Sequence, residues 1–101
     1  MYIILTSKSD EYAAQPEGGM VPVESYEYFF YDKKKADFTI AEVIADGGRV
    51  SIVEAGEGGA VNSVPLKFFE RFETLEEARA ELKQLVTFGH IETRLERTPL
   101  R

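Results

Sequence analysis

The chain has 101 residues, carries a net charge of −6 and contains no cysteine. This length suits one domain spanning residues 1–101, with a core large enough to need no covalent cross-link. The lack of cysteine excludes disulfides, thiolate nucleophiles and cysteine-ligated zinc or iron–sulfur sites. The acidic balance disfavours binding to nucleic acid or to anionic membranes, because their phosphate groups repel a negative surface.

Apolar runs are short throughout the sequence. The run over residues 2–5 has no basic residue ahead of it, and the other runs are also only a handful of residues long. A secretory signal needs a longer apolar stretch with a basic flank, and a membrane helix needs about 20 apolar residues. We therefore expect no membrane association and a cytoplasmic location.

The first predicted strand covers residues 2–6, which are rich in β-branched and aromatic side chains. Residues 8–24 are predicted to be a long loop, because no helical period survives there. The residues that interrupt any such period are Pro16, Gly18, Gly19 and Pro22.

Three further strands are predicted over residues 25–31, 37–44 and 49–54. The polar link 32–36 is short enough for a hairpin loop, so Lys33, Lys34 and Lys35 are expected to form a solvated turn. Gly47 and Gly48 favour a second tight turn, because glycine adopts positive φ without strain. The three strands are expected to form an antiparallel meander.

The clearest helix signal begins at Thr74. With Glu77 three residues later, Thr74 fits a capping box, and an apolar stripe at three- and four-residue steps follows it. Gly89 is predicted to end this helix after Phe88. The stripe consists of Leu75, Ala78, Leu82, Leu85 and Val86.

The last part of the chain completes the fold prediction. Residues 91–95 alternate and could add an edge strand, and residues 97–101 are expected to fray. Strands grouped before one long helix predict an α+β fold. In this prediction the meander and the N-terminal strand form one antiparallel sheet, with a possible C-terminal edge strand, packed on the single C-terminal helix.

The sequence contains no recognisable catalytic or cofactor-binding motif. The only histidine, His90, follows Gly89 and is interpreted as a residue that caps the helix end. No G-x-S-x-G motif surrounds a serine, and the glycines of residues 56–59 match neither a dinucleotide fingerprint nor a P-loop. We predict no catalytic residues, no metal site, no cofactor and no enzymatic activity.

Glu42 and Glu54 are the one pair of acids worth weighing for acid–base chemistry. Each lies at the end of an otherwise apolar strand row. Burial together would raise the pKa of both carboxyl groups and could create a general acid. Sheet ends are usually wet, so exposure of both is the expected outcome.

The stretch "YEYFFYDKKK" holds five of the twelve aromatic residues. Alternation places Tyr26 and Tyr28 on one face of the strand and Phe29 and Tyr31 on the other. One helix covers only one face, so one row should be free for binding. Later in the chain, Phe68 and Phe72 are expected inside and Phe69 partly outside. The predicted binding residues are Tyr26, Tyr28, Phe29, Tyr31 and Phe69.

Two functional hypotheses follow. The first is a small non-catalytic protein-interaction module, an accessory subunit, regulator or inhibitor of another protein, with self-association left open. Its aromatics would anchor a partner, and residues 1–32, with one lysine and six acids, would steer a basic one. The alternative is a small-ligand-binding domain or weak enzyme, with a pocket between the sheet and residues 8–24 that encloses Glu42 or Glu54.

Overall fold

The computed structural model describes residues 1–45, 47–56, 58–87 and 93–100. This part of the chain forms two antiparallel sheets and one α-helix, which confirms the α+β prediction. The elements are β1 (Tyr2–Ser7), β2 (Tyr12–Pro16), β3 (Met20–Phe30), β4 (Lys33–Val43), β5 (Arg49–Glu54), β6 (Val61–Pro65), a 3₁₀ turn (Leu66–Phe68), α1 (Leu75–Leu85) and β7 (Thr93–Thr98).

The first sheet has the strand order β1-β4-β3-β7. Its centre is the β3–β4 hairpin, whose turn consists of Tyr31 and Asp32, with φ of 49° and 65°. The predicted solvated turn at 32–36 is therefore wrong. Lys33 pairs with Phe30 and Lys34 with Phe29, so the lysines belong to β4. Positive φ at both central residues lets two residues close a hairpin whose twist matches its strands.

The second sheet has the order β2-β5-β6, so the predicted three-strand meander is also wrong in its last strand. After β4 the chain turns away, and the amides of Ile44 and Ala45 both donate to the carbonyl of Gly19, at 2.8 and 3.2 Å. Gly19 and Gly48 lie so close that a Cβ on Gly19 would be 3.0 Å from the Gly48 Cα. This contact leads β5 into a second layer, where β2 and β6 flank it.

Residues 8–24 are not the predicted long loop, because they contain β2 and the start of β3. Both prolines sit where a strand tolerates them. Pro16 is the last residue of an edge strand, and Pro22 adjoins an irregularity of register between Pro22 and Glu24. The prolines and glycines thus mark strand ends and a bulge, rather than continuous loop.

The helix begins as predicted. The amide of Glu77 donates to Thr74 Oγ1 at 3.1 Å, and the amide of Glu73 donates to Glu77 Oε2 at 3.1 Å. The predicted end of the helix after Phe88 is wrong, because α1 ends at Leu85 with Val86 as its C-cap. Gly89 and the predicted capping role of His90 lie outside the described residues. This helix, the one α-helix of the described residues, is too short and too polar to cross a membrane.

The C-terminal edge strand exists, but it occupies Thr93–Thr98. Arg97 and Thr98, predicted to fray, pair with Tyr26 and Ser25 of β3. The alternation of β7 continues past residue 95, and pairing with β3 supplies the backbone hydrogen bonds that hold these residues in place.

The core has two parts, one on each face of the first sheet. On the helix side, Ala78 and Leu82 of α1 and Val86, which caps its C-terminal end, pack onto the sheet. The other face packs on the second sheet, and there the fully buried side chains include Ile3, Leu5 and Val50. β1 and β4 contribute apolar residues to both faces, so the single helix covers one layer and the second sheet covers the other.

Candidate binding groove

The second sheet covers only part of the first sheet. It packs over β1 and the adjoining residues of β4, where Leu5 and Ala41 are buried. The matching face of β3 and β7 carries Glu27, Phe29 and Arg94, which are half-buried or exposed. We call this uncovered surface, over β3, β7 and the adjoining end of β4, the open face. A groove lies where the covered part of the sheet meets the open face.

The β1–β2 connection creates this groove. Lys8 and Tyr12 form an isolated bridge around a tight turn in which Asp10 has a φ of 65°. Beyond it β2 separates from β1, and the amide of Ala14 donates to Ser7 Oγ at 2.9 Å. The groove has a volume of about 810 Å³. Its sides are formed by residues 13–16 of β2 and by residues 98–100, and its floor includes Ser25 and Thr39.

Three charged side chains from β3 and β4 line the groove. Lys34 Nζ lies 2.9 Å from Asp37 Oδ1 and 3.1 Å from Glu27 Oε2. The hydrogen bonds to Asp37 and Glu27 raise the pKa of Lys34, so its ammonium stays charged at neutral pH. Two carboxylates share one cation, which leaves one net negative charge at this site.

A smaller hollow of about 290 Å³ shares Ser7, Ala13 and Asp37 with the groove. Its remaining charged residues extend the acidic character around the end of β2, because two of the three are acids. These charged residues are Lys8, Asp10 and Glu54.

The predicted aromatic row Tyr26 and Tyr28 lies mostly against the helix side. Tyr28 packs with Phe38, with ring centroids 6.1 Å apart, and both tyrosines are half-buried. The Tyr26 hydroxyl donates to Glu24 Oε2 at 3.1 Å, and burial, together with this carboxylate, raises the pKa of Tyr26. Tyr26 also lines the groove, alone among the predicted binding residues.

The other three predicted binding residues lie apart from one another. Phe29 is on the open face, with the Arg94 guanidinium 4.3 Å from its ring centroid. Tyr31 is at the hairpin tip, 55% exposed, with its ring edge-to-face on Phe30 at 4.8 Å. Phe69 packs against the core between the sheets. The five residues therefore do not form one continuous surface.

The expected burial of Phe68 is wrong. Phe68 is 71% exposed, whereas Phe69 is half-buried and packs against the core. The prediction assumed α-helical spacing, but Leu66–Phe68 is a single 3₁₀ turn followed by extended backbone at Phe69. Phe72 packs inward as expected, and its backbone pairs with Tyr2.

The strongest charged cluster in the described residues is one that sequence reasoning missed. Glu24 is 2% exposed, and Arg79 Nε donates to its Oε1 at 2.6 Å while Nη2 donates to its Oε2 at 3.0 Å. Arg97 approaches the same carboxylate at 3.7 Å. The hydrogen bonds from Arg79 hold the pKa of Glu24 below its ordinary value, against the opposing effect of burial. The sequence carries one indication of this cluster, which is that Arg79 directly follows Ala78 of the predicted apolar stripe.

Glu42 and Glu54 do not come together. Glu42 is in the first sheet and half-buried, whereas Glu54 is in the second sheet and exposed. Neither lines the larger groove, and Glu54 borders the smaller hollow. Among the described residues, no three His, Asp or Glu side chains cluster closely enough to hold a metal ion.

Comparison with known proteins returned no matching family model, curated protein or solved structure. No relative therefore supplies a function for this chain. The shape and the charge of the groove therefore carry the inference about what it binds.

Proposed function

We propose that this protein is a small non-catalytic interaction module, an accessory subunit, regulator or inhibitor, that binds a segment of another protein in its groove. The observation that carries the proposal is the acidic groove of about 810 Å³ between β2 and the open face. An exposed concave surface with an uncompensated charge is suited to a partner of opposite charge. The bound segment would therefore be basic.

The lining of the groove suits an arginine or lysine side chain. Glu27 and Asp37 offer carboxylates at one side, already arranged around the ammonium group of Lys34. Ala14 and Pro22, both half-buried, supply apolar surface nearby. A long basic side chain could lay its methylene stem on such apolar atoms while its charged end meets the carboxylates.

The acidic N-terminal third of the chain contributes less unpaired negative charge than its composition indicates. Three of its acids are paired with basic residues from later in the chain, and these pairs are Glu24 with Arg79, Glu27 with Lys34 and Asp32 with Arg94. Asp10 and Glu11 stay exposed at the β1–β2 turn, and Asp10 borders the smaller hollow. Steering of a basic partner would therefore centre on this end of the groove.

A titration with defined peptides tests the proposal. ¹⁵N-labelled protein is mixed with a short peptide of alternating arginine and glycine, and separately with one of alternating glutamate and glycine. We expect chemical-shift changes at Ser25, Asp37 and Thr39 with the arginine peptide alone, and weaker binding at high salt. Equal binding of the glutamate peptide, or shift changes confined to another surface, would contradict the proposal.

Substitutions in the groove sharpen this test. Lys34→Met frees both carboxylates and should tighten binding of the arginine peptide severalfold. Glu27→Gln combined with Asp37→Asn should abolish it. Glu70→Gln is the matched control, because it removes an exposed carboxylate that does not line the groove.

Small-ligand binding is the second candidate, favoured by the size and place of the groove. Its volume lies within the range of about 300–1,000 Å³ typical of ligand sites, and it lies between the sheet and residues 8–24. Free arginine serves as the probe. Binding of free arginine as tightly as the peptide would favour this candidate, whereas much tighter binding of the peptide would favour the interaction module.

A further inference from the structure

The four outer strand edges of the two sheets differ in how they are protected. On β1, Tyr2 exchanges backbone hydrogen bonds of 2.7 and 2.8 Å with Phe72. On β2, Ser7 Oγ accepts from the amide of Ala14, and Pro16 has no N–H to offer. On β6, the carbonyl of Ser63 accepts from Arg49 Nη2 at 3.1 Å, and the strand ends at a proline. Prolines and side-chain contacts of this kind limit pairing with another chain.

Within the part of the chain that the structure describes, the edge of β7 has no such protection. Among residues 1–45, 47–56, 58–87 and 93–100, β7 pairs with β3 on one side and with nothing on the other. Its sequence, Thr-Arg-Leu-Glu-Arg-Thr, contains no proline or glycine. The unpaired side of a regular strand presents a row of backbone donors and acceptors that can take up another strand.

The charges of β7 make it complementary to itself. Two copies that pair antiparallel across a two-fold axis keep their helices on the same side of the sheet, so residues opposite each other must share a face. The two-fold axis must therefore pass midway between the two copies of one residue, so that this residue lies opposite its own copy. When it passes through Leu95, Arg94 lies opposite Glu96 of the partner subunit, and Glu96 lies opposite Arg94 of the partner subunit.

The neighbouring registers are disfavoured. An axis through Arg94 would set that arginine against its own copy, and an axis through Glu96 would do the same with two carboxylates. Like charges directly opposite each other destabilise a strand pair, whereas opposite charges stabilise it. The charge pattern thus favours the register centred on Leu95 over the two registers next to it.

We infer that the protein forms a homodimer through antiparallel pairing of β7 with β7 of a second copy, centred on Leu95. The product is one continuous eight-stranded sheet with both helices on the same face. On the opposite face, each Arg94 already contacts Asp32 at 2.7 Å and Glu96 at 2.8 Å. Pairing extends these contacts into a ring of alternating charges. This inference goes beyond the proposed function, because Arg94, Leu95 and Glu96 do not line the groove.

A charge-swap series tests the dimer and its register by sedimentation velocity over a range of concentrations. Arg94→Glu and Glu96→Arg each create two like-charge contacts across the axis, and each should weaken the dimer on the order of tenfold. The double variant Arg94→Glu/Glu96→Arg restores opposite charges and should dimerise like the parent chain. A monomer at all concentrations, or a dimer that neither single substitution weakens, overturns the inference.

Two controls separate the dimer contact from changes within one subunit. Asp32→Ala removes an internal partner of Arg94 without altering the charges of β7, so it should leave the dimer intact. The chain has no cysteine, so single cysteines report contacts cleanly. A mixture of the Arg94→Cys and Glu96→Cys proteins should form the mixed cross-link in preference to either symmetrical one. Symmetrical cross-links alone would overturn the proposed register.

Discussion

The two halves of the four-stranded sheet have the same backbone pairing but different surroundings. In the half formed by β1 and the adjoining part of β4, both faces are covered, and Ile3, Leu5 and Ala41 are buried. In the half formed by β3 and β7, the helix side is covered and the open face carries ion pairs. The first half is held by apolar burial on both sides. The second half is left with a face that can bind something else.

The largest expected effect lies in the covered half. Leu5→Ala removes a side chain that is 2% exposed between the two sheets, and should lower the free energy of unfolding by about 3 kcal/mol. Phe29→Ala on the open face is the comparison variant, and should cost about 1 kcal/mol, since its ring is only half-buried beneath Arg94. Urea unfolding of both variants measures this, and equal losses would mean that the two halves do not differ as described.

The next effect concerns the polar contact between helix and sheet. Glu24→Gln exchanges a buried carboxylate for an amide that binds Arg79 less strongly, and should cost on the order of 2 kcal/mol at neutral pH. Because the pKa of Glu24 is lowered in the folded state, its contribution is present above the ordinary value of 4.5. That contribution is lost as the pH falls through the lowered value.

Unfolding of the parent chain and of Glu24→Gln between pH 7 and pH 3 checks this prediction. The difference between the two should be constant near neutrality and should shrink in acid. A difference that grows as the pH falls would mean that the ion pair opposes folding. Glu70→Gln, at an exposed position, serves as the control and should follow the parent chain throughout.

The smallest effect is at the tip of the hairpin. Tyr31 has a φ of 49°, which an aromatic residue adopts at a cost, whereas asparagine tolerates this region. Tyr31→Asn should therefore raise the free energy of unfolding by roughly 0.5–1 kcal/mol, measured by thermal melting. Tyr31→Phe retains the strain and should change little. A loss of stability in Tyr31→Asn would mean that the contact of Tyr31 with Phe30 outweighs the strain.

Local signals predicted local structure well. The α+β class, the start of the helix at Thr74 and the strands β1, β4 and β5 all follow from side-chain periodicity and capping residues. The errors arose where long-range contacts decide the outcome. Pro16 and Gly19 read as loop residues, yet pairing with β5 and contact with Gly48 fix them beside regular strands.

The candidate site was predictable only in outline. The sequence predicted surplus aromatics and a pocket near residues 8–24, and the groove does border that segment. Its charged residues could not be identified in the same way, because Glu27 and Asp37 meet at Lys34 only through the register of β3 and β4. The position of Glu24 could not be predicted either, because the irregularity of register after Pro22 decides on which face of the sheet Glu24 lies.

The strand order of the first sheet has a consequence for the order of folding. β3 and β4 are joined by two residues, whereas β1 must wait for the distant β4 before it can pair. Short loops close at lower entropic cost, so we expect the hairpin to form first and β1 to join it later. Pulsed hydrogen exchange should then protect the amide of Phe38, which faces β3, before that of Ile3, which faces Ala41 of β4, and the reverse order would contradict this sequence of events. A chain emerging from the ribosome would thus carry its first apolar strand unpaired until most of β4 has been made.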